Sequence, residues 1–178
     1  VKRIKTILLS CFALIVLLFS GLVFGLLYHG RPPSEDALIE NFSQHRAAFE
    51  QLRNMLMADT QVRRVAVWGV DTIKPLGIFI PPAGNFPVER FNQYVALLKQ
   101  AGGKVAFRSE GAQPEPSVIV WAVGFGGDIR HIGICWEDLA PTNQVPHLYG
   151  GHQTSEFGEN CQAVYRHLDG NWYLWKDW

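Results

Sequence analysis

Three histidines and three acids fall in one stretch of the chain: His131, His147 and His152, with Glu137, Asp138 and Glu156. Imidazole and carboxylate are ligands for zinc and the usual groups of acid–base hydrolysis. A metal-dependent or other hydrolase would therefore keep its chemistry in this region. The pattern argues against that reading. His147 and His152 stand five positions apart in a polar run with no periodicity, which matches no known metal-ligand spacing. His131 lies in a run alternating with Ile129, Ile132 and Ile134, the habit of a strand. Glu137 and Asp138 are adjacent at the end of that run, so their side chains are expected to point apart and face solvent. These residues are assigned no catalytic role, metal or cofactor, and His147 and His152 are kept as candidates for a binding surface.

Nucleophiles give no stronger signal. Ser109, Ser117 and Ser155 sit in no Gly-x-Ser-x-Gly elbow. The glycines around Phe125 lack the spacing of a phosphate cradle and read as a turn. The run Trp172-Tyr173-Leu174-Trp175 is more suggestive. As a strand it puts Trp172 and Leu174 on one face and Tyr173 and Trp175 on the other. The second pair could form a sugar- or peptide-binding platform, while the plainer expectation is a strand packed into the core from both sides.

The elements that would position these residues follow from periodicity and punctuation. Ser34 reads as the cap of a helix whose apolar residues, Leu38, Phe42, His45, Phe49, Leu52 and Leu56, recur at steps of four and three. A homodimeric coiled coil could use the same stripe, but its shortness and its Phe residues favour packing on the domain's own sheet. A second helix opens at Phe86-Pro87, carries Val88, Phe91, Tyr94, Val95 and Leu98 on one face, and stops at Gly102-Gly103. Residues 62–70 read as one strand, with shorter strands over 76–80 and 104–109. Two hairpins follow, over 117–136 and 161–176, the latter turning at Asp169-Gly170. The polar run Ala140 to Glu159 has no pattern and is the expected place for a recognition loop. Helices early and antiparallel strands late give an α+β fold, with two amphipathic helices packed on a mainly antiparallel sheet.

Ahead of this domain, Thr6 to Tyr28 is a run of 23 residues without one charged side chain. As a helix it measures roughly 35 Å, enough to cross a hydrocarbon core of about 30 Å. Lys2, Arg3 and Lys5 flank it on one side, which orients the rest of the chain away from the cytoplasm. The run is long for a cleavable signal and lacks a small-x-small site before Gly30, so it is expected to stay as an anchor. Cys11 follows a lipobox-like Leu8-Leu9-Ser10, but the apolar stretch before it is too short for a lipoprotein signal. Residues 1–29 are thus expected to be a cytoplasmic tip and transmembrane helix, and 30–178 an extracytoplasmic domain of a single-pass inner-membrane protein.

That placement bears on the remaining cysteines. In an oxidising compartment Cys135 and Cys161, 26 positions apart, are expected to form a disulfide, with two buried thiols as the alternative. A bridge of that loop length contributes about 3 kcal/mol. Setting aside the three N-terminal bases leaves 13 Lys and Arg against 16 Asp and Glu, a net charge of −3. There is no basic stripe, and nucleic-acid binding loses its electrostatic driving force.

The stretch Ala163-Val164-Tyr165-Arg166-His167-Leu168-Asp169-Gly170-Asn171-Trp172-Tyr173-Leu174 resembles the tail of small, uncharacterised bacterial membrane-anchored proteins. The helix after Pro32-Pro33-Ser34 is similar to theirs as well. The resemblance covers about a third of the chain, implies a bacterial, extracytoplasmic setting, and gives no residue a role. Together these features lead us to expect a membrane-tethered protein-interaction or accessory module, with the hydrolase reading as its rival. The expected partners are the membrane and a second protein.

Overall fold

The computed structural model describes residues 31–73, 78–79, 86–109, 115–125, 128–149 and 163–177, together with Val16. The chain divides into two compact units, Val1–Pro32 and Pro33–Trp178. Apart from Val16, the expected membrane span over 6–28, with Cys11, lies outside the described residues. Among the described residues no helix is long and apolar enough to cross a membrane.

The second unit is an α+β domain. Helix α1 (Glu35–Ala58) begins where Ser34 Oγ accepts from the Ala37 N–H at 3.3 Å, with Glu35 and Asp36 in the first turn. Both devices satisfy or complement the free amides of a helix start. The stripe of Leu38, Phe42, Phe49, Leu52 and Leu56 is buried as the spacing predicts, and Ala48 joins it. His45 does not. Its backbone leaves helical geometry (φ −118°, ψ 18°), and its Nδ1 lies 3.1 and 3.0 Å from the Asn41 carbonyl and side-chain oxygens. A polar ring in the apolar stripe finds its partner on its own helix, and the helix kinks there.

Eight strands form one sheet: β1 (Val62–Ala66), β2 (Gly69–Thr72), β3 (Ile78–Phe79), β4 (Val105–Arg108), β5 (Pro116–Phe125), β6 (Asp128–Trp136), β7 (Val164–Asp169) and β8 (Trp172–Asp177). Their order is β3-β2-β1-β4-β5-β6-β8-β7, and every neighbouring pair is antiparallel. The run 62–70, expected as a single strand, is instead a hairpin. Val67 and Trp68 are its exposed turn, and Arg64 to Ala66 pair with Asp71 to Gly69. Continuous β-propensity hid a two-residue turn that carries no Gly, Asn or Asp.

The register fixes two faces. One row across the sheet runs Val70, Val65, Ala106, Val118, Ile134, Leu174, Arg166. Its apolar members pack with α1 and with helix α2 (Val88–Gln100), which buries Phe91, Tyr94 and Leu98. Trp172 is enclosed by Phe42, Phe49 and Trp136 at ring separations of 5.6, 6.2 and 5.4 Å. Arg53 stacks 4.0 Å over Trp136 and closes that corner. Asp59, just past α1, accepts from Arg90 Nε at 2.7 Å and from the Tyr94 hydroxyl at 2.9 Å, fastening α2 to the end of α1.

Candidate functional site

The neighbouring row on the opposite face reads Asp71, Arg64, Phe107, Ser117, Cys135, Tyr173, His167. It is mixed where the helix-facing row is apolar, because a strand sends alternate residues to opposite faces. Among the described residues no helix packs on this face. A smaller apolar cluster of Cys135, Tyr173 and Trp175 sits there, edged by Phe107, Ile119, Ala163 and Tyr165. Tyr173 and Trp175 share this face, as the strand alternation requires, but both are buried (5% and 8% exposed) and not offered as a two-ring platform.

Beside that cluster lies a pocket of about 390 Å³. Its lining combines an apolar floor, Phe107 and Ile119, with Arg63, Arg64 and Arg108, and with Ser109 and His131. Strand β1 supplies two arginines in succession and β4 the third. Asp71 is 1% exposed and takes Arg63 Nε at 3.0 Å, Arg63 Nη2 at 2.6 Å and Arg64 Nη2 at 3.3 Å, all on one carboxylate oxygen. Arg108 donates to the carbonyls of Val62 and Thr60, which holds its guanidinium against β1. The buried Asp71 thus orders two of the three guanidinium groups of this lining, and backbone carbonyls hold the third. Guanidinium forks of this kind recognise carboxylate and phosphate.

His131 reaches the pocket from β6. Its Nδ1 lies 3.1 Å from both Asp177 carboxylate oxygens, and the Asp177 side chain also accepts the His131 backbone N–H at 2.7 Å. A carboxylate on Nδ1 fixes the ring and leaves Nε2 for other chemistry. His147 stands elsewhere. It belongs with Glu35, which accepts from the Leu148 N–H at 2.9 Å and from Arg166 on the helix-facing side. Burial alone would raise the Glu35 pKa, but the Leu148 amide and Arg166 outweigh it and hold the carboxyl below its ordinary value. His131 and His147 are therefore not brought together, and His152 and Glu156 lie outside the described residues. Among the described residues no group of three or more His, Cys, Asp or Glu side chains is placed to hold a metal ion.

The polar run after Ala140 is more structured than its sequence suggests over its first ten residues. Val145 N–H donates to the Tyr165 carbonyl and Tyr165 N–H to that of Asn143, a parallel bridge along the outer edge of β7. Leu148 is fully buried, its carbonyl accepting from Lys176 Nζ at 3.0 Å, and the Tyr149 hydroxyl donates to the Pro33 carbonyl at 2.9 Å. This segment clasps the start of α1 to the end of β8. Its backbone is packed, while His147 and Tyr149 stay exposed; the remainder of the run expected as a recognition loop is outside the described residues.

Glu137 is also not the solvated strand-end acid its position implies. Burial, followed by the neighbouring Glu115, pushes its pKa up to about 8. Strand pairing places Glu115, just before β5, opposite Glu137, just after β6. Asp138 turns away and accepts from Trp136 Nε1 at 2.8 Å. Cys135 is a free, buried thiol that donates to the Tyr173 carbonyl at 3.7 Å, and burial raises its pKa well above the ordinary value. Cys161, the other half of the expected bridge, lies outside the described residues.

Sequence reasoning missed the pocket because its residues are spread over β1, β4, β5 and β6. The one local signal was the adjacent pair Arg63-Arg64 inside a strand, where two charges in succession put one on each face unless the strand is irregular. A register shift between Val62 and Arg64 supplies that irregularity. No protein-family model, curated protein or solved structure matches the chain.

Proposed function

We propose that this chain is a membrane-tethered, extracytoplasmic binding module whose recognition surface is the helix-free face of its sheet. The single observation that carries the reading is the arginine-lined pocket on that face, ordered from behind by the buried Asp71. A buried acid used to fix guanidinium groups at a surface is an arrangement for recognition, since it gains little stability against desolvation. The tether rests on the uncharged run Thr6 to Tyr28 and the bases that precede it. Site-specific photocrosslinking in membranes tests the reading. A photoreactive side chain at Ser109, on the pocket, should give a discrete adduct, whereas one at the exposed Gln51 of α1 should not. Adducts from Gln51 alone would move recognition to the helices and remove this assignment.

A second reading, hydrolysis, is favoured by one pair. His131 lines the pocket with its Nδ1 held by Asp177, the arrangement of an oriented general base. It needs only His131, not the trio of histidines. Turnover of ester or phosphoester substrates that disappears in His131→Gln while ligand binding persists would support it; a His131→Gln protein that matches wild type in both would dispose of it.

A further inference from the structure

On the reading of the helix-free face as the recognition surface, we infer that its pocket binds an elongated, uncharged molecule: a hydrogen-bond acceptor at one end, a hydroxyl or N–H donor at the other, and an apolar body between. The register lays out that order. Arg64 of β1 stands opposite Phe107 of β4, Phe107 opposite Ser117 of β5, and Ile119 of β5 opposite Gly133 of β6. Residues two apart along a strand share a face, so Arg64, Phe107, Ile119 and His131 form a diagonal across four adjacent strands. All four line the pocket. The diagonal is polar at both ends and apolar in the middle.

The two ends differ in what they offer. At the first, Arg64 spends one N–H on Asp71 at 3.3 Å and keeps the rest of its donor fork. Arg108 gives Nε and Nη2 to the carbonyls of Val62 and Thr60, and Ser109 Oγ accepts the Glu115 N–H at 2.9 Å. Arg63 has a further interaction besides Asp71 and is not counted among the ligand's contacts. A guanidinium only donates, so this end asks for an acceptor. At the second end, His131 Nδ1 lies 3.1 Å from both Asp177 oxygens. A carboxylate only accepts, so Nδ1 carries the proton, and Nε2 of the neutral ring asks for a donor. The Trp175 ring, 6.4 Å from Phe107 and 6.4 Å from His131, backs both side chains. An anion lying along the diagonal would meet the Asp177 carboxylate, and a cation the guanidinium groups. A neutral molecule meets neither penalty and avoids the cost of desolvating an ion. The volume of about 390 Å³ is at the small end of ligand pockets.

The test uses the full chain in lipid nanodiscs, with empty nanodiscs as the blank, and calorimetric titration at about pH 8, above the ordinary imidazole range. The probe with both ends is 3-(4-hydroxyphenyl)propanamide. Against it stand 3-phenylpropanamide, which lacks the donor, 4-ethylphenol, which lacks the acceptor, and 3-(4-hydroxyphenyl)propanoate, which is charged. The two-ended amide should bind at least about tenfold tighter than either truncated probe, and no weaker than the carboxylate. Each variant should then erase one preference alone. His131→Phe, which keeps a ring beside Trp175, should bring the two-ended amide down to the affinity of 3-phenylpropanamide. Arg64→Met, in which Arg63 still pairs with Asp71, should bring it down to that of 4-ethylphenol. Erasure of the opposite preference in either variant would overturn the assignment of the ends. Thermal unfolding of both should stay cooperative, and where a variant does not fold the wild-type series decides. Equal wild-type affinity for 3-phenylpropanamide would overturn the donor end, equal affinity for 4-ethylphenol the acceptor end, and tighter binding of the carboxylate the uncharged class. Absence of binding by all four probes would overturn the inference as a whole. Crosslinks from Ser109 would in that event still support the binding face, so the two failures are told apart.

Discussion

Trp175 and Ser117 are joined across an intervening strand: the indole of β8 passes over Gly133 of β6 and donates from Nε1 to the Ser117 Oγ of β5 at 2.8 Å. The contact is buried and ties β8 to β5 across β6 on the helix-free face. It also explains a glycine in the middle of a strand, where glycine is ordinarily a weakness. A Cβ at position 133 would stand 2.5 to 2.7 Å from three atoms of the indole. The ring lies where the side chain would be.

Gly133→Ala is therefore expected to destabilise the domain by about 1–3 kcal/mol, because either the indole or the strand must shift. Ser117→Ala removes only the acceptor and leaves a buried N–H without its partner, at about 1–2 kcal/mol. The two effects should not add, since a displaced indole has already lost Ser117. Chemical denaturation of both single variants and the double variant measures this. Full additivity would show that Trp175 does not link the two positions.

Glu137 predicts a slope with pH. Its folded pKa of about 8 exceeds the ordinary 4.5, so between these values the folded state binds more protons than the unfolded one. By linkage, stability falls as pH rises across that window. The favourable part is complete below about 4.5 and is gone once pH passes about 8. Glu137→Gln, which keeps the shape and cannot ionise, should flatten the decline and be more stable than wild type at pH 9. Denaturant titrations at pH 5, 7 and 9 decide it; parallel profiles for the two proteins would mean that Glu137 is ionised in the fold.

Asp59 fastens the two helices through Arg90 and Tyr94. Asp59→Ala strands a partly buried guanidinium and a buried hydroxyl, and should cost about 2–3 kcal/mol. Tyr94→Phe removes one of those bonds and should cost about 1 kcal/mol. Hydrogen exchange at the end of α1 and along α2 should rise in Asp59→Ala and remain unchanged in β6 and β8. A uniform rise over the sheet would indicate global loss of stability in place of a loosened helix pair.

How far these features could be read from the sequence follows from how local their causes are. The stripe of α1, its Ser34 cap and the Asp169-Gly170 turn, where Gly170 takes φ +59°, depend on neighbours a few residues apart. The two-sided burial of Trp172 to Trp175 follows from strand alternation. The hairpin at Val67-Trp68 was hidden because its turn lacks the usual residues. The Glu115–Glu137 pairing and the meeting of Arg63 with Arg108 depend on register between strands distant in sequence. A bulge of one residue decides which face receives Arg63, and no composition encodes that.

Lys176 gives the opposite pH signature to Glu137. It is on the helix-facing side of β8, 3% exposed, donates to the Leu148 carbonyl and lies 5.4 Å from the Tyr149 ring. Burial lowers its pKa from 10.5 to about 8, and the charge of Glu35 only partly restores it. Between those values the unfolded chain holds more protons than the folded one, so this group makes stability rise as pH increases from about 8 to 10.5. Lys176→Met keeps the apolar stem and removes both the proton and the bond to Leu148. It should lose the alkaline rise and should free the segment around Leu148, seen as faster hydrogen exchange at residues 145–149. At pH 7 the lost bond and the relieved burial of a charge oppose one another, so the net change is expected within about 1 kcal/mol. A wild-type profile that falls between pH 8 and 10.5, with no difference in Lys176→Met, would place the ammonium in water and detach the clasp from β8.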